Sequence, residues 1–236
     1  MTVAGRIEIV KDEEAISARA AELIADRIRD CTAPFRLALS GGNTPRGCYH
    51  RLAHLNQVPW DCVEIYMGDE RCVPPDHPDS NYRMIHDTLL AAGTVSPRAL
   101  FAIPTDGAPE AGARAYEEIL HQQYGASHLQ PGLALFNLQL LGLGADGHTA
   151  SLLPGQPVLE ERTRWVAAVP KGRQEPRITL TYPALESSQL IIFLVSGAAK
   201  KDALTRARAG DATIPAGRLK PQGEVVWLAD RAAAGG

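Results

Sequence analysis

Three short segments of this 236-residue chain concentrate side chains that can move protons or hold an anion. In L-L-G-L-G-A-D-G-H-T-A-S-L-L-P, Leu140 to Pro154, a histidine follows a glycine-rich stretch. An imidazole with a reference pKa of about 6.5 can take a proton from water near neutral pH and return it to a departing oxygen, so His148 is the expected general base of an ester hydrolysis. Gly142, Gly144 and Gly147 clear side chains from around the ring, and such turns can aim N–H groups at a developing oxyanion. Gly144, Asp146 and Gly147 are therefore expected in the substrate site. A lone histidine is more often a capping or packing residue, and the glycines are what argue against that here.

The second segment is L-A-L-S-G-G-N-T-P, Leu37 to Pro45. An apolar strand runs into two glycines, small polar side chains and a proline suited to the first position of a helix. Gly41 and Gly42 permit close backbone approach, while Ser40, Asn43 and Thr44 place polar groups beside helix N–H donors, a cradle for a phosphate. An ordinary strand-to-helix turn with an Asn or Thr cap has the same outline. The nucleotide-triphosphate loop G-x-x-x-x-G-K-[ST] is absent. The third segment, I-Y-M-G-D-E-R, brings two carboxylates and a guanidinium to what reads as one short loop. Asp69 could orient a catalytic group or a water, and Arg71 could hold phosphate; taken alone, D-E-R also fits a solvated turn. Arg177 at the start of R-I-T-L-T and Lys200 in V-S-G-A-A-K each follow or open a strand pattern and could complete an anion pocket.

Other chemistries find less support. G-L-G-A-D-G, residues 142–147, formally matches the dinucleotide fingerprint, but the acidic residue expected about 20 positions on is missing from W-V-A-A-V. No G-x-S-x-G elbow offers a serine nucleophile. His50 and His54 have the spacing of a helical metal pair without the glutamate of H-E-x-x-H, and read as surface helix residues.

These residues need rigid elements to bring them together. Short apolar runs alternate with helical patterns: strands are expected at Arg6–Val10, Arg36–Leu39, Val63–Met67, Leu135–Leu141, Gln189–Val195 and Glu224–Leu228. Several are nearly continuous in apolar residues, as in a mostly parallel sheet covered on both faces. Helices are expected from about Glu13 to Asp30, from the Ser80 cap to about Leu90, from Pro109 through Tyr124, and from Ala198 to about Ala209. Arg164–Val169 and Arg177–Thr181 read as extra, antiparallel strands of a small subdomain over the sheet, joined by the turn-rich Pro170–Pro176. Without a repeat or linker, residues 1–236 read as a single α/β domain, a mostly parallel sheet flanked by helices, with its site beyond the carboxyl ends of the strands.

A hydrophobic share of 45 % and a charged share of 22 % are those of a globular domain. The net charge of −3 offers no broad attraction to nucleic acid or an anionic membrane, so neither is an expected partner. Four cysteines without a C-x-x-C pair read as reduced thiols. No stretch approaches the roughly 20 apolar residues of a membrane span, and the N-terminal segment lacks the apolar core of a signal peptide. Together these readings predict a cytoplasmic protein.

Taken in order, S-G-G-N-T-P, G-D-E-R, L-G-L-G-A-D-G-H-T-A-S-L-L-P, P-R-I-T and V-S-G-A-A-K-K resemble the motif set of the bacterial-type 6-phosphogluconolactonases, from Leu37 to Lys201. The resemblance implies a glucosamine-6-phosphate isomerase/deaminase-like α/β fold and hydrolysis of 6-phosphogluconolactone to 6-phosphogluconate in the pentose phosphate pathway. It further implies no organic cofactor or required metal, and a small-molecule substrate as the partner of a monomer or homodimer. By similarity, Ser40, Gly41, Gly42, Asn43 and Thr44 match the phosphate loop, Asp69 and Arg71 the central polar pair, His148 the base, and Arg177 and Lys200 the remaining basic contacts. Asn43 departs mildly from the pattern, where serine is common. The related amino-sugar-phosphate deaminases typically carry D-E-Y where this chain has Asp69-Glu70-Arg71, and their histidine motif continues toward F-N-E-P rather than Ala150 to Pro154. A deaminase and a silent sugar-phosphate-binding regulator are the rival readings.

Overall fold

The structure is a computed structural model that describes residues 3, 5–31, 34–91 and 93–236. Its centre is a seven-stranded parallel sheet in the order β1-β10-β9-β6-β2-β3-β5. The strands are β1 (Arg6–Val10), β2 (Phe35–Leu39), β3 (Val63–Met67), β5 (Ala99–Phe101), β6 (Phe136–Gly142), β9 (Ser188–Val195) and β10 (Glu224–Asp230). The apolar runs of β6 and β9 in the middle of this sheet, and of β3 beside the edge strand β5, are buried on both faces, the reason they lack a regular polar alternation. Phe193 and Trp227, cross-strand partners of β9 and β10, stack with ring centroids 3.9 Å apart.

The helices are α1 (Glu13–Arg29), α2 (Asn43–Ala53), α3 (Asn81–Ile85), α4 (Pro109–Tyr124), α5 (Tyr182–Glu186), α6 (Lys201–Arg208) and α7 (Arg231–Ala234). Their ends follow from local chemistry. Asp12 caps α1 by accepting from the Ala15 N–H at 2.9 Å, with Glu13 and Glu14 in the first turn and Arg27 and Arg29 in the last. Pro109 opens α4, and Gly125, left-handed at φ +86°, closes it. Ser80 caps α3 as expected, and the chain continues from His86 to Leu90 as a π-helical turn. No described helix is long and apolar enough to cross a membrane. β1 and β3 keep the bounds expected from the sequence and β2, β6, β9 and β10 shift by a residue or two, while β5, α5 and α7 were not anticipated; each of these three spans five residues or fewer.

Two features of the sequence reading change. Asp69-Glu70-Arg71 is not a loop but a strand, β4, pairing antiparallel with β8 (Arg177–Leu180), which pairs in turn with β7 (Val166–Val169). The expected small subdomain is this three-stranded sheet, with one strand more than foreseen. Pro45 occupies the third helical position of α2 rather than the first, and Gly42 at φ +112° is the cap. After β2 the chain moves to β3 on one side, and after β6 it moves to β9 on the other, so strand order reverses between β2 and β6. A crevice opens beyond the carboxyl ends of two strands that diverge in this way.

Candidate active site

At this switch point lies a cavity of about 230 Å³. One wall is the turn after β2, where Ser40, Gly41, Gly42, Asn43 and Thr44 all border the space. Ser40 is held through its main chain: the buried Tyr49 hydroxyl accepts from its N–H at 3.0 Å and donates to its carbonyl at 2.7 Å. Burial pushes the Tyr49 phenol well above its ordinary range, so it stays a neutral two-way bridge. The Ser40 hydroxyl is buried without a partner among the described residues. No side chain caps α2, which leaves its first turn available to an anion. Thr44 turns its hydroxyl away, donating at 2.8 Å to Glu13 on α1, so its side chain is committed to the scaffold.

The opposite wall is the turn after β6, carrying Gly144 and His148. His148 Nδ1 lies 2.5 Å from Asp146 Oδ1. An ionised carboxylate can only accept, so Nδ1 is the donor and Nε2 keeps the lone pair. Burial pushes Asp146 up, but the hydrogen bond and charge of His148, with Arg173, outweigh it and hold the carboxyl below its ordinary value. Arg173 Nη2 sits 2.9 Å from Asp146 Oδ2 and 3.2 Å from His148 Nδ1. A Cβ on Gly144 would stand 1.9 Å from His148 Nδ1, so only glycine lets the imidazole fold over this turn.

The turn itself differs from expectation. Asp146 and Gly147 stand behind His148 and outside the cavity wall. The Gly144 N–H donates to the His148 carbonyl at 2.8 Å and the Gly147 N–H to the Gly144 carbonyl at 3.0 Å, so neither is free for an oxyanion. Gly147, at φ +82°, packs its α-carbon against Ile214 and its carbonyl accepts from Ala216. The segment after β6 contains turns rather than a helix, so G-L-G-A-D-G lacks the helix N-terminus that a dinucleotide pyrophosphate requires.

The small sheet supplies the roof. In the β4–β8 register Arg71 faces Arg177 directly, and both border the cavity. Each keeps a buried Nε without a partner, although Arg71 donates through Nη1 to the Asp79 carbonyl at 2.5 Å. Desolvation lowers the Arg177 pKa, Asp69 opposes this, and Arg71 and Arg173 add to it. Two like charges opposed on a sheet repel, and an anion between them reverses the sign of that interaction. Lys200, just past β9, joins the wall with an ammonium that makes no hydrogen bond or ion pair among the described residues.

Asp69, 6 % exposed, reaches the same space but does not touch His148. Its carboxylate accepts from Ser151 Oγ at 2.6 Å and Asn81 Nδ2 at 3.3 Å. Thus Asp146, not Asp69, is the carboxylate bonded to the imidazole. Sequence reasoning passed over Asn81, Ser151, Arg173 and Glu70. The Glu70 carboxylate accepts from the Arg71, Asn81 and Tyr82 N–H groups at 2.8, 2.8 and 2.7 Å and from Ser80 Oγ at 3.1 Å. It thereby fixes Asn81, whose amide also bonds the Asp69 carbonyl at 2.9 Å and fills the space over Gly41. Desolvation nonetheless raises the Glu70 pKa over the opposing effect of those N–H donors. His50 and His54 lie elsewhere, stacked with centroids 4.8 Å apart on α2 and its end.

Comparison with known proteins places this geometry in context. A 6-phosphogluconolactonase of Nostoc sp. is 37 % identical over 96 % of both chains, and one of Synechocystis sp. is 38 % identical over 98 % of both. The solved 6-phosphogluconolactonase from Trypanosoma cruzi superposes with a TM-score of 0.86, covering 100 % of this chain and 97 % of its own at 27 % identity. A monomeric glucosamine-6-phosphate deaminase, at 24 % identity and a TM-score of 0.80, shares the fold. The profile described as glucosamine-6-phosphate isomerases/6-phosphogluconolactonase matches residues 11–227, and the chain belongs to that family.

Proposed function

We propose that this chain hydrolyses 6-phospho-D-glucono-1,5-lactone to 6-phospho-D-gluconate, the lactone-opening step of the oxidative pentose phosphate pathway. The observation that carries the reading is that His148, bonded to Asp146, borders the same cavity as Arg71, Arg177 and Lys200. That pairing joins a proton acceptor to an anion site, and the lactonase names of the relatives agree with it.

The phosphate docks against the Ser40–Thr44 turn and the cationic side chains, so its binding energy fixes the distant lactone carbonyl. His148 Nε2 takes a proton from a water while the water oxygen attacks C1. Asp146 orients the ring and stabilises the imidazolium. Asp69, anchored by Ser151 and Asn81, accepts a hydrogen bond from the attacking water. The oxyanion draws on cationic side chains, since the Gly144 and Gly147 N–H groups are spent within their turn. The tetrahedral intermediate then collapses, the C1 to ring-oxygen bond breaks, and imidazolium returns its proton to that oxygen. The product acid ionises at neutral pH and releases one proton per turnover. We place this work in the reducing cytoplasm, the compartment that four cysteines without a C-x-x-C pair suggest.

The test is proton release on freshly generated lactone beside ammonia release from glucosamine 6-phosphate. Lactone hydrolysis well above the spontaneous rate, with no ammonia, is the expected result. Ammonia production, or phosphosugar binding without turnover of either compound, would replace the proposal with a deaminase or a binding regulator respectively.

A further inference from the structure

Asp230, the last residue of β10, is a carboxylate only 5 % exposed, without an ion-pair partner among the described residues and outside the cavity wall. Four contacts converge on it. Oδ2 accepts from Ser196 Oγ at 2.6 Å and the Gly197 N–H at 2.9 Å; Oδ1 accepts from the same N–H at 3.1 Å and from Ala233 N at 2.7 Å. The first three tie down the turn that leaves β9, and the fourth caps α7.

Gly197 stands at φ +94° and redirects the chain into a single 3₁₀ turn, Ala198–Lys200, closed by the Lys200 N–H on the Gly197 carbonyl at 3.0 Å. Ser196 and Lys200, at the two ends of this segment, both border the cavity. A lysine stem is flexible on its own, so a firmly held Cα keeps backbone motion from widening further the space its ammonium samples. The clamp works from two sides. Asp230 holds Gly197 directly, and the helix it caps packs against the 3₁₀ turn, with Gly235 so close that a Cβ there would meet Lys201 Cε at 2.5 Å. Asp230 also sets the polarity of Ser196. The hydroxyl proton is committed to the carboxylate, so toward the cavity Ser196 presents lone pairs, which suit an ammonium or a sugar hydroxyl and not a phosphate oxygen.

We propose that Asp230 is a positioning residue for the anion site: it fixes the Ser196–Lys200 segment so that Lys200 meets the phosphate of the substrate. This rests on the reading of Lys200 as a phosphate contact. Asparagine cannot replace it, because every partner of the carboxylate is a donor and the amide would turn a donor of its own toward one of them.

A double-mutant cycle with Asp230→Asn and Lys200→Ala tests the link, read as calorimetric affinity for 6-phospho-D-gluconate, with kcat and KM beside it. Asp230→Asn is expected to weaken binding about 10-fold and raise KM correspondingly, with kcat changed less than about 3-fold, because the reacting end stays in place. In the Lys200→Ala background the same substitution is expected to change affinity by less than about 2-fold. Equal losses in both backgrounds, or a folded Asp230→Asn protein of wild-type affinity, would overturn the inference. Ser196→Ala removes one donor while leaving the α7 cap intact, and covers the case in which Asp230→Asn does not fold. It should weaken binding about 3-fold in the native background and not in Lys200→Ala; the same loss in both would also overturn it. Because affinity for the product is read apart from turnover, a chain that binds it but opens no lactone refutes the lactonase reading alone.

Discussion

His148 is legible in the sequence because three glycines and a preceding apolar strand are local signals, whereas its surroundings are not. Arg173 reaches Asp146 from a turn 27 residues away, and nothing in K-G-R-Q-E-P marks it. Asn81 and Ser151 converge on Asp69 only once β4 pairs with β8. The Asp146 contact sets the tautomer, so Asp146→Asn should lower kcat by about 10²-fold or more with little change in KM, measured as initial rates of lactone opening. Wild-type kcat in that variant would remove Asp146 from the reaction. Glu70 invites a test of a different kind. Its folded pKa is raised by burial, so the stability it contributes is fully present below its unfolded value, about 4.3, and is lost as pH rises through the folded value. Urea unfolding of wild type and Glu70→Gln from about pH 4 to 7 should therefore show the stability advantage of wild type shrinking as pH rises. An advantage that grows over that window would contradict the assigned burial of the charge.

Among the elements, the long apolar strands could be read to within a residue or two because a sheet covered on both faces leaves them no polar alternation. β4 escaped because three residues are too few to show a period, and D-E-R carries no apolar position. Its consequence, the opposition of Arg71 and Arg177, is the strongest electrostatic mark of the site and was invisible in the sequence. Like charges directly opposite on a sheet cost up to about 1 kcal/mol. Arg71→Met is accordingly expected to raise the unfolding free energy of the ligand-free protein by a few tenths of a kcal/mol up to about that amount, while KM for the lactone rises at least about 10-fold. A variant that is both less stable and unchanged in KM would show that the pair serves packing and not anion binding.

At the scale of the whole molecule, the parallel sheet reverses its strand order between β2 and β6, and the reversal alone brings the Ser40–Thr44 turn and the His148 turn to the two sides of one cavity. The small antiparallel sheet then lays Asp69, Arg71 and Arg177 across the opening. In the proposed mechanism a phosphate-holding half and a proton-transferring half each stand on their own strand end, so a rigid scaffold can steer a small phosphorylated lactone. In the proposed mechanism His148 removes the proton from water. That role is tested most directly by proton release on adding freshly generated 6-phospho-D-glucono-1,5-lactone to wild type and to folded His148→Ala, with the spontaneous rate subtracted. A loss of about 10²- to 10⁴-fold in kcat is expected while affinity for 6-phospho-D-gluconate stays near wild type; full turnover by His148→Ala would contradict that role.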